Sequence, residues 1–227
     1  MGSLTSKSIK APEEFPTQLH AYYALSRALL DGAPHRPALP LEIIIQVFDV
    51  AGIARPGPTK DLAISDDSHF LVNANDAETQ HTTILQSEPI TSDWLNQVVQ
   101  FQVSTTSRDQ GWVGDPNAGN WSWIEVWILT AGPISATTPG QTATPQEKMH
   151  PERLLRWISH HNTLAERQYA THQGILFEPD HEIWCYLEKG DIIAVKACCR
   201  FGGWQNEVKH CSLKFWKKFN PTSLALY

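Results

Sequence analysis

The chain has 227 residues, 41% of them hydrophobic, enough for one large domain or one domain with a small appendage. Its 18 Lys and Arg against 24 Asp and Glu leave a net charge of −6, which argues against the basic face that nucleic-acid binding requires. No apolar run approaches the roughly 18 residues of a membrane span, and the start lacks the apolar stretch of a secretory signal, so no transmembrane segment is expected.

The opening Met1-Gly2-Ser3-Leu4-Thr5-Ser6, with Lys7 and Lys10 nearby, fits a loose N-myristoylation pattern at Gly2. A chance Met-Gly start fits equally, and one acyl chain anchors only marginally. Residues 12–31 read as a helix: Pro16 lies near its start, Leu19, Tyr22, Tyr23, Leu25, Ala28 and Leu29 recur near helical spacing, and Asp31-Gly32 ends it. Pro34, Pro37 and Pro40 form a stiff connector. A short helix over 40–51 follows, with Pro40 in its first turn and Gly52 as its stop. Leu41, Ile44, Ile45, Val47, Phe48 and Val50 make it apolar over most of its surface, so it is expected to be buried.

Past a Pro/Gly stretch at 53–60 the period changes to two. Phe70, Val72 and Ala74 alternate with polar residues, and Val99, Phe101, Val103 and Thr105 form the more apolar face of a strand from 98. Trp121, Trp123, Glu125 and Trp127 alternate with Ser122, Ile124, Val126 and Ile128, both faces carrying bulk as in a central strand. Residues 130–150 read as a long surface loop and 153–158 as a strand or helical turn. Strands are expected at 181–187, 191–199 and 208–216, with Glu188-Lys189-Gly190 as the turn between the first two. The pattern predicts a mainly β fold, an antiparallel β-sandwich or jelly roll over 59–227, preceded by a helical segment over 1–58.

Residues 38–51 resemble the opening helix of an F-box, but a Pro/Gly turn stands at 55–58 where more helix belongs. The stretch 85–216 resembles a family of uncharacterised fungal proteins through Asp109-Gln110-Gly111-Trp112, Gly119-Asn120-Trp121-Ser122-Trp123 and Arg200-Phe201-Gly202-Gly203-Trp204-Gln205-Asn206. Gly202 departs from the family pattern, which has Pro there, and should loosen that turn. The resemblance implies a galactose-binding-like sandwich, similar to the sugar-binding domain appended to some F-box proteins. It also implies a protein partner for helix 40–51.

The chemistry of those segments points to a ligand. Sugars present C–H faces and hydroxyl edges, and an indole flanked by Asp, Asn, Gln or Arg answers both. Arg108, Asp109, Gln110, Trp112, Asp115 and Trp123 are candidates on 107–123, and Arg200, Trp204 and Asn206 on 200–206. Gly111, Gly114, Gly202 and Gly203 permit tight loops. Trp121, Trp123, Trp127, Trp184 and Trp216 sit in expected strands and read as core before ligand, and Arg200 reads equally as a pin between loops through Asp109 or Asp115.

His160 and His161, with His172, Asp180 and His181 downstream, are weak candidates for acid/base work beside Asp109, or for ordinary surface histidines on a loop. They lack the spacing of a zinc protease, Asp66-Asp67 is only a short acidic pair, and the spacing of Cys185, Cys198, Cys199 and Cys211 fits neither a zinc ribbon nor a disulfide framework. Reduced thiols in a cytoplasmic protein without metal or cofactor are expected, and the sequon at Asn120 then carries no weight. Three functions stay open: a module binding a glycan or small-molecule ligand, a small-molecule enzyme of cyclase or isomerase type, and an adaptor of F-box type.

Overall fold

A computed structural model of the protein describes residues 15–56, 62–63, 68–117, 119–130, 144–151 and 153–221. The expectations for Gly2, Asp66-Asp67 and most of the 130–150 loop lie outside them. The chain divides into two compact units, residues 1–55 with 218–227, and residues 56–217.

The first unit is built on α1 (Phe15–Asp31) and α2 (Leu41–Val50). Gly32 ends α1 with a φ of 69°, and a side chain there would sit 2.7 Å from the Ala38 amide nitrogen, so the turn admits only glycine. Ile44 and Phe48, one turn apart on α2, are buried with Phe219, and Tyr22, Tyr23, Leu29, Leu39 and Ile53 pack around them. Both tyrosine rings meet Phe219 edge-on. The all-round burial expected of α2 is corrected: Ile43, Val47 and Val50 are exposed, because a ten-residue helix covered along one stripe leaves its other faces to solvent.

The second unit is mainly β. Its strands are β2 (Leu62–Ala63), β3 (Phe70–Asn73), β4 (Thr79–Gln86), β5 (Val98–Arg108), β6 (Ser122–Thr130), β7 (Gln146–Glu147), β8 (Met149–His150), β9 (Arg153–Leu154), β10 (Arg156–His161), β11 (Ala170–Phe177), β12 (Ile192–Arg200) and β13 (Gln205–Lys218), after a short β1 (Ala54–Pro56). In one sheet β13 pairs with β5 and β5 with β11, while β2 and β3 pair with β13. The other runs β10-β6-β12-β4, with β7 also on β6. Each of these pairings is antiparallel. A helix α3 (Ser92–Gln97), capped by the Thr91 hydroxyl, leads into β5.

The sheets share one core. Phe101, Val103, Val208, Cys211 and Leu213 from the first meet Ile124, Val126, Ile128, Ile193, Val195 and Ala197 from the second. Both β6 and β12 are buried on both faces along nearly their whole length, as continuous apolar runs in central strands should be. The strand expected at 181–187 is corrected: Glu182–Cys185 is a 3-10 turn, started by the His181 ring accepting from the Ile183 amide. Trp121 precedes β6 rather than lying in it, and Trp184 and Trp216 are half-buried. His160 and His161 lie on β10, not on a loop. Strands β4 and β11 escaped the sequence reading, since Thr, Gln and His occupy many of their positions.

The registers bring several strand ends together. Arg108 ends β5 opposite Glu207 near the start of β13, and Ser107 faces Ala170 at the start of β11. In the other sheet Ser122 opens β6 opposite Cys199 near the end of β12, and His161 ends β10 opposite Trp123. The connections β5–β6 (109–121), β10–β11 (162–169) and β12–β13 (201–204) therefore emerge at one end of the unit.

Candidate functional site

The apolar core turns polar toward that end. Ser107 Oγ donates to Asn162 Oδ1 (2.7 Å), and Asn162 Nδ2 donates to Ser122 Oγ (2.6 Å) and Asn206 Oδ1 (3.0 Å). Asn206 Nδ2 donates to the carbonyls of Trp123 and Cys198. These buried groups tie the two sheets together where the loops begin, and each amide finds partners, as burial demands. Asn206 is 0% exposed. The sequence placed it at a ligand; the structure commits it to the interior.

His160 continues this seam. Its Nε2 lies 2.8 Å from Thr105 Oγ1, its Nδ1 lies 3.0 Å from Ser159 Oγ, and its ring stacks on His172. Burial, followed by the neighbouring His172 and His161, pushes its pKa down to about 4. His161 is exposed. Asp109 is 2% exposed: Oδ1 accepts from the Gly111 amide and Oδ2 from the Ala165 amide. It pins the 109–121 loop to the 162–169 loop. The three acid/base candidates thus form no common site, and the expected pairing of Arg200 with Asp109 or Asp115 is corrected. Arg200 donates to the Ala77 carbonyl and lies over the Phe201 ring, since Asp109 is already occupied and Asp115 caps the Asn117 amide.

The two Trp-bearing loops do lie side by side. Gln110 Oε1 accepts from the Gln205 amide, and Gln110 Nε2 donates to the Trp112 carbonyl. A Cβ on Gly203 would lie 3.9 Å from the Trp112 ring, so the indole rests over glycine backbone. Gly203 has a φ of 92° in a turn closed by the Trp204 amide on the Phe201 carbonyl. Gly202 does not break that turn.

Trp112 is 60% exposed and lines a polar cavity and a small recess, with an aromatic cavity beyond the recess. The polar cavity, about 420 Å³, is walled by Arg108, Gln110, Arg167, Gln205 and Glu207. The recess, about 110 Å³ between Trp112 and Trp204, adjoins it through Gln110. The aromatic cavity, about 380 Å³, is walled by Val113, Asp115, Trp121, Phe201 and Trp204, and shares Val113, Gly114 and Trp204 with the recess. Trp121 and Phe201 meet edge-on at 4.7 Å. Among the described residues, only Ala165 and Phe201 adopt a positive φ without being glycine. Both sit on these loops, and such strain collects where function needs a fixed geometry.

Behind the polar cavity stands a cluster the sequence did not disclose beyond Arg108. Glu207 accepts from Arg108 and from His69, and Tyr169 lies beneath the Arg108 guanidinium at 4.6 Å and the Lys209 ammonium at 3.9 Å. Burial pushes the Glu207 carboxyl up, but hydrogen bonds from Arg108, Tyr169 and His69 outweigh it and hold it at about 2. Burial and the bond to Glu207 push Tyr169 up to about 12. Arg108 also donates to the Arg167 carbonyl (2.8 Å), so the cluster fixes the third loop. Ordinary polar residues at 163–169 gave no signal for this.

Trp123, a ligand candidate from sequence, is 8% exposed and faces the outside of the second sheet, where it and Trp127 donate to opposite oxygens of Glu125. The four cysteines are free, and burial raises the thiols of Cys198, Cys199 and Cys211. Among the described residues no group of three or more His, Cys, Asp or Glu is placed to hold a metal ion, and no helix is long and apolar enough to cross a membrane. No protein-family model and no curated protein matches the chain.

Proposed function

We propose that the protein is a binding module of galactose-binding-like, jelly-roll type, taking a glycan or a similar hydroxylated ligand on the loops 109–121, 162–169 and 201–204. The observation that carries this reading is Trp112, an indole 60% exposed that rests on the Gly203 backbone, lining a polar cavity and the small recess it shares with Trp204. An exposed indole fixed by its loop presents a flat apolar face without losing much side-chain freedom on binding. Gln110 and Gln205 stand beside it for hydroxyl edges. The resemblance of residues 85–216 to a fungal family implies such a sandwich. Binding is favoured over turnover because His160 and Asp109 are spent on internal hydrogen bonds.

A glycan array followed by calorimetry tests it. Trp112→Ala and Trp204→Ala should each weaken the best array ligand by about tenfold or more. Undiminished binding in both variants removes these loops from the site.

A further inference from the structure

Resting on that reading, we infer that the site selects an acidic sugar, with Arg167 receiving the ring carboxylate while Trp112 covers the sugar face. Each carboxylate around the polar cavity is engaged: Glu207 with Arg108 and His69, Asp109 with two backbone amides, and Glu166, next in chain to Arg167, with the Gln168 amide. Arg108 is likewise taken, by Glu207 and the Arg167 carbonyl.

Arg167 differs. Its Nε makes one long contact, 3.4 Å, to the Gly111 carbonyl, and among the described residues it forms no ion pair. Both terminal amino groups of its guanidinium are left without a partner among those residues, in the wall that holds Trp112. The residue is exposed, but its stem is seated. Its Cγ lies 3.1 Å from where a Cβ on Gly111 would stand, so its stem packs on the left-handed Gly111 backbone. Its own carbonyl is held by Arg108. A planar fork held at its stem, with two amino groups open, matches a carboxylate in bidentate fashion. A neutral sugar would leave that fork half used.

Calorimetry on the full chain with oligogalacturonate and with its methyl ester separates charge from shape, since the ester keeps the ring and removes the charge. The acid should bind about tenfold or more tightly than the ester, as expected for a charge-assisted pair. Arg167→Gln should bring the acid down to the affinity of the ester, and Arg167→Lys should restore only part of the preference. Trp112→Ala should weaken acid and ester alike. Equal affinity of acid and ester, with Trp112 dependence retained, overturns the acidic-sugar inference and leaves the binding reading standing. No binding of either probe, together with an empty glycan array, overturns both. Competition by inorganic sulfate as strong as by the oligosaccharide, insensitive to Trp112→Ala, shows an anion site unrelated to sugar and also overturns the inference.

Discussion

Two pairs of tryptophans in the same unit have opposite surroundings. Trp123 and Trp127 point outward from β6, yet both are buried and both indole N–H groups end on Glu125. Lys196 lies 3.6 Å from the centre of the Trp127 ring, Arg156 lies 5.2 Å from it, and Lys196 is itself paired with Glu147. Trp112 and Trp204 stand on loops, and among the described residues neither indole N–H has a hydrogen-bond partner. The first pair has its hydrogen bonds and its cation–π contacts satisfied within the fold. The second pair leaves both N–H groups open, and Trp112 keeps an exposed ring face, while Trp204 is half-buried with part of its ring against the core. An aromatic residue is informative about binding to the extent that its own fold leaves it unsatisfied.

The sharpest way to test the contrast is Trp127→Ala. The ring is 1% exposed, and its loss opens a cavity and strips Glu125 of one donor. Removal of a buried Trp costs about 3–5 kcal/mol, so the urea midpoint should fall steeply with an unchanged slope. Trp127→Phe should recover most of the packing and leave a deficit of about 1–2 kcal/mol for the missing indole N–H. A Trp127→Ala protein as stable as the parent would break the distinction between the two pairs.

Asn206→Leu comes next. It removes the donor shared by the Trp123 and Cys198 carbonyls and leaves one Asn162 bond unmade. Unpaired buried polar groups cost about 1–3 kcal/mol each, and relaxation recovers part of that, so a loss of roughly 3 kcal/mol in chemical denaturation is expected. The loss should come with no direct effect on ligand contacts.

These two residues also show what was legible in the sequence. Period two and apolar bulk on both sides announced β6 as a central strand, and 191–199 read as a strand; the structure has β6 and β12 side by side inside their sheet. The helices at 12–31 and 40–51 were equally plain from their spacing and their Pro and Gly boundaries. The motif around Trp112 and Trp204 was visible too, and the loops that carry them do meet. Which polar residue turns inward was not visible. Asn206 and Asp109 read like ligand groups because a side chain that bonds to a neighbouring loop has the same chemistry as one that bonds to a sugar. Arg167, Tyr169 and Glu207 stayed hidden because their association depends on register between β5, β11 and β13. The left-handed Phe201 has no signature in sequence at all.

Acid provides the third test. The His160 pKa lies near 4 in the fold against about 6.5 in the unfolded chain, so the unfolded state binds the proton first. Stability from this group is complete above pH 6.5 and is lost as pH falls from 6.5 toward 4, by roughly 2–3 kcal/mol in all. Burial lowers His81, His161 and His181 in the same direction, so the variant His160→Gln isolates the contribution. Urea unfolding at pH 7, 5.5 and 4.5 should show a shallower decline in the variant. Below pH 4.5 a second loss belongs to Glu207, whose folded pKa is about 2, and it should persist in His160→Gln.

The smallest expected effect matters most for the comparison. Trp112→Ala removes a larger side chain than most core substitutions do, yet the indole is 60% exposed, and its contact with Gly203 is ordinary van der Waals contact. Surface substitutions of this kind change stability by no more than about 0.5 kcal/mol, so thermal and urea unfolding should scarcely move. The Gln110 bond to the Trp112 carbonyl uses the backbone and survives the change, which keeps the loop in place. Trp127→Ala and Trp112→Ala therefore delete the same side chain with a difference of several kcal/mol. A Trp112→Ala protein that unfolds as easily as Trp127→Ala would mean that the exposed indole is a structural clasp between the 109–121 and 201–204 loops. The case for a ligand face at that end of the sheets would then lose its main support.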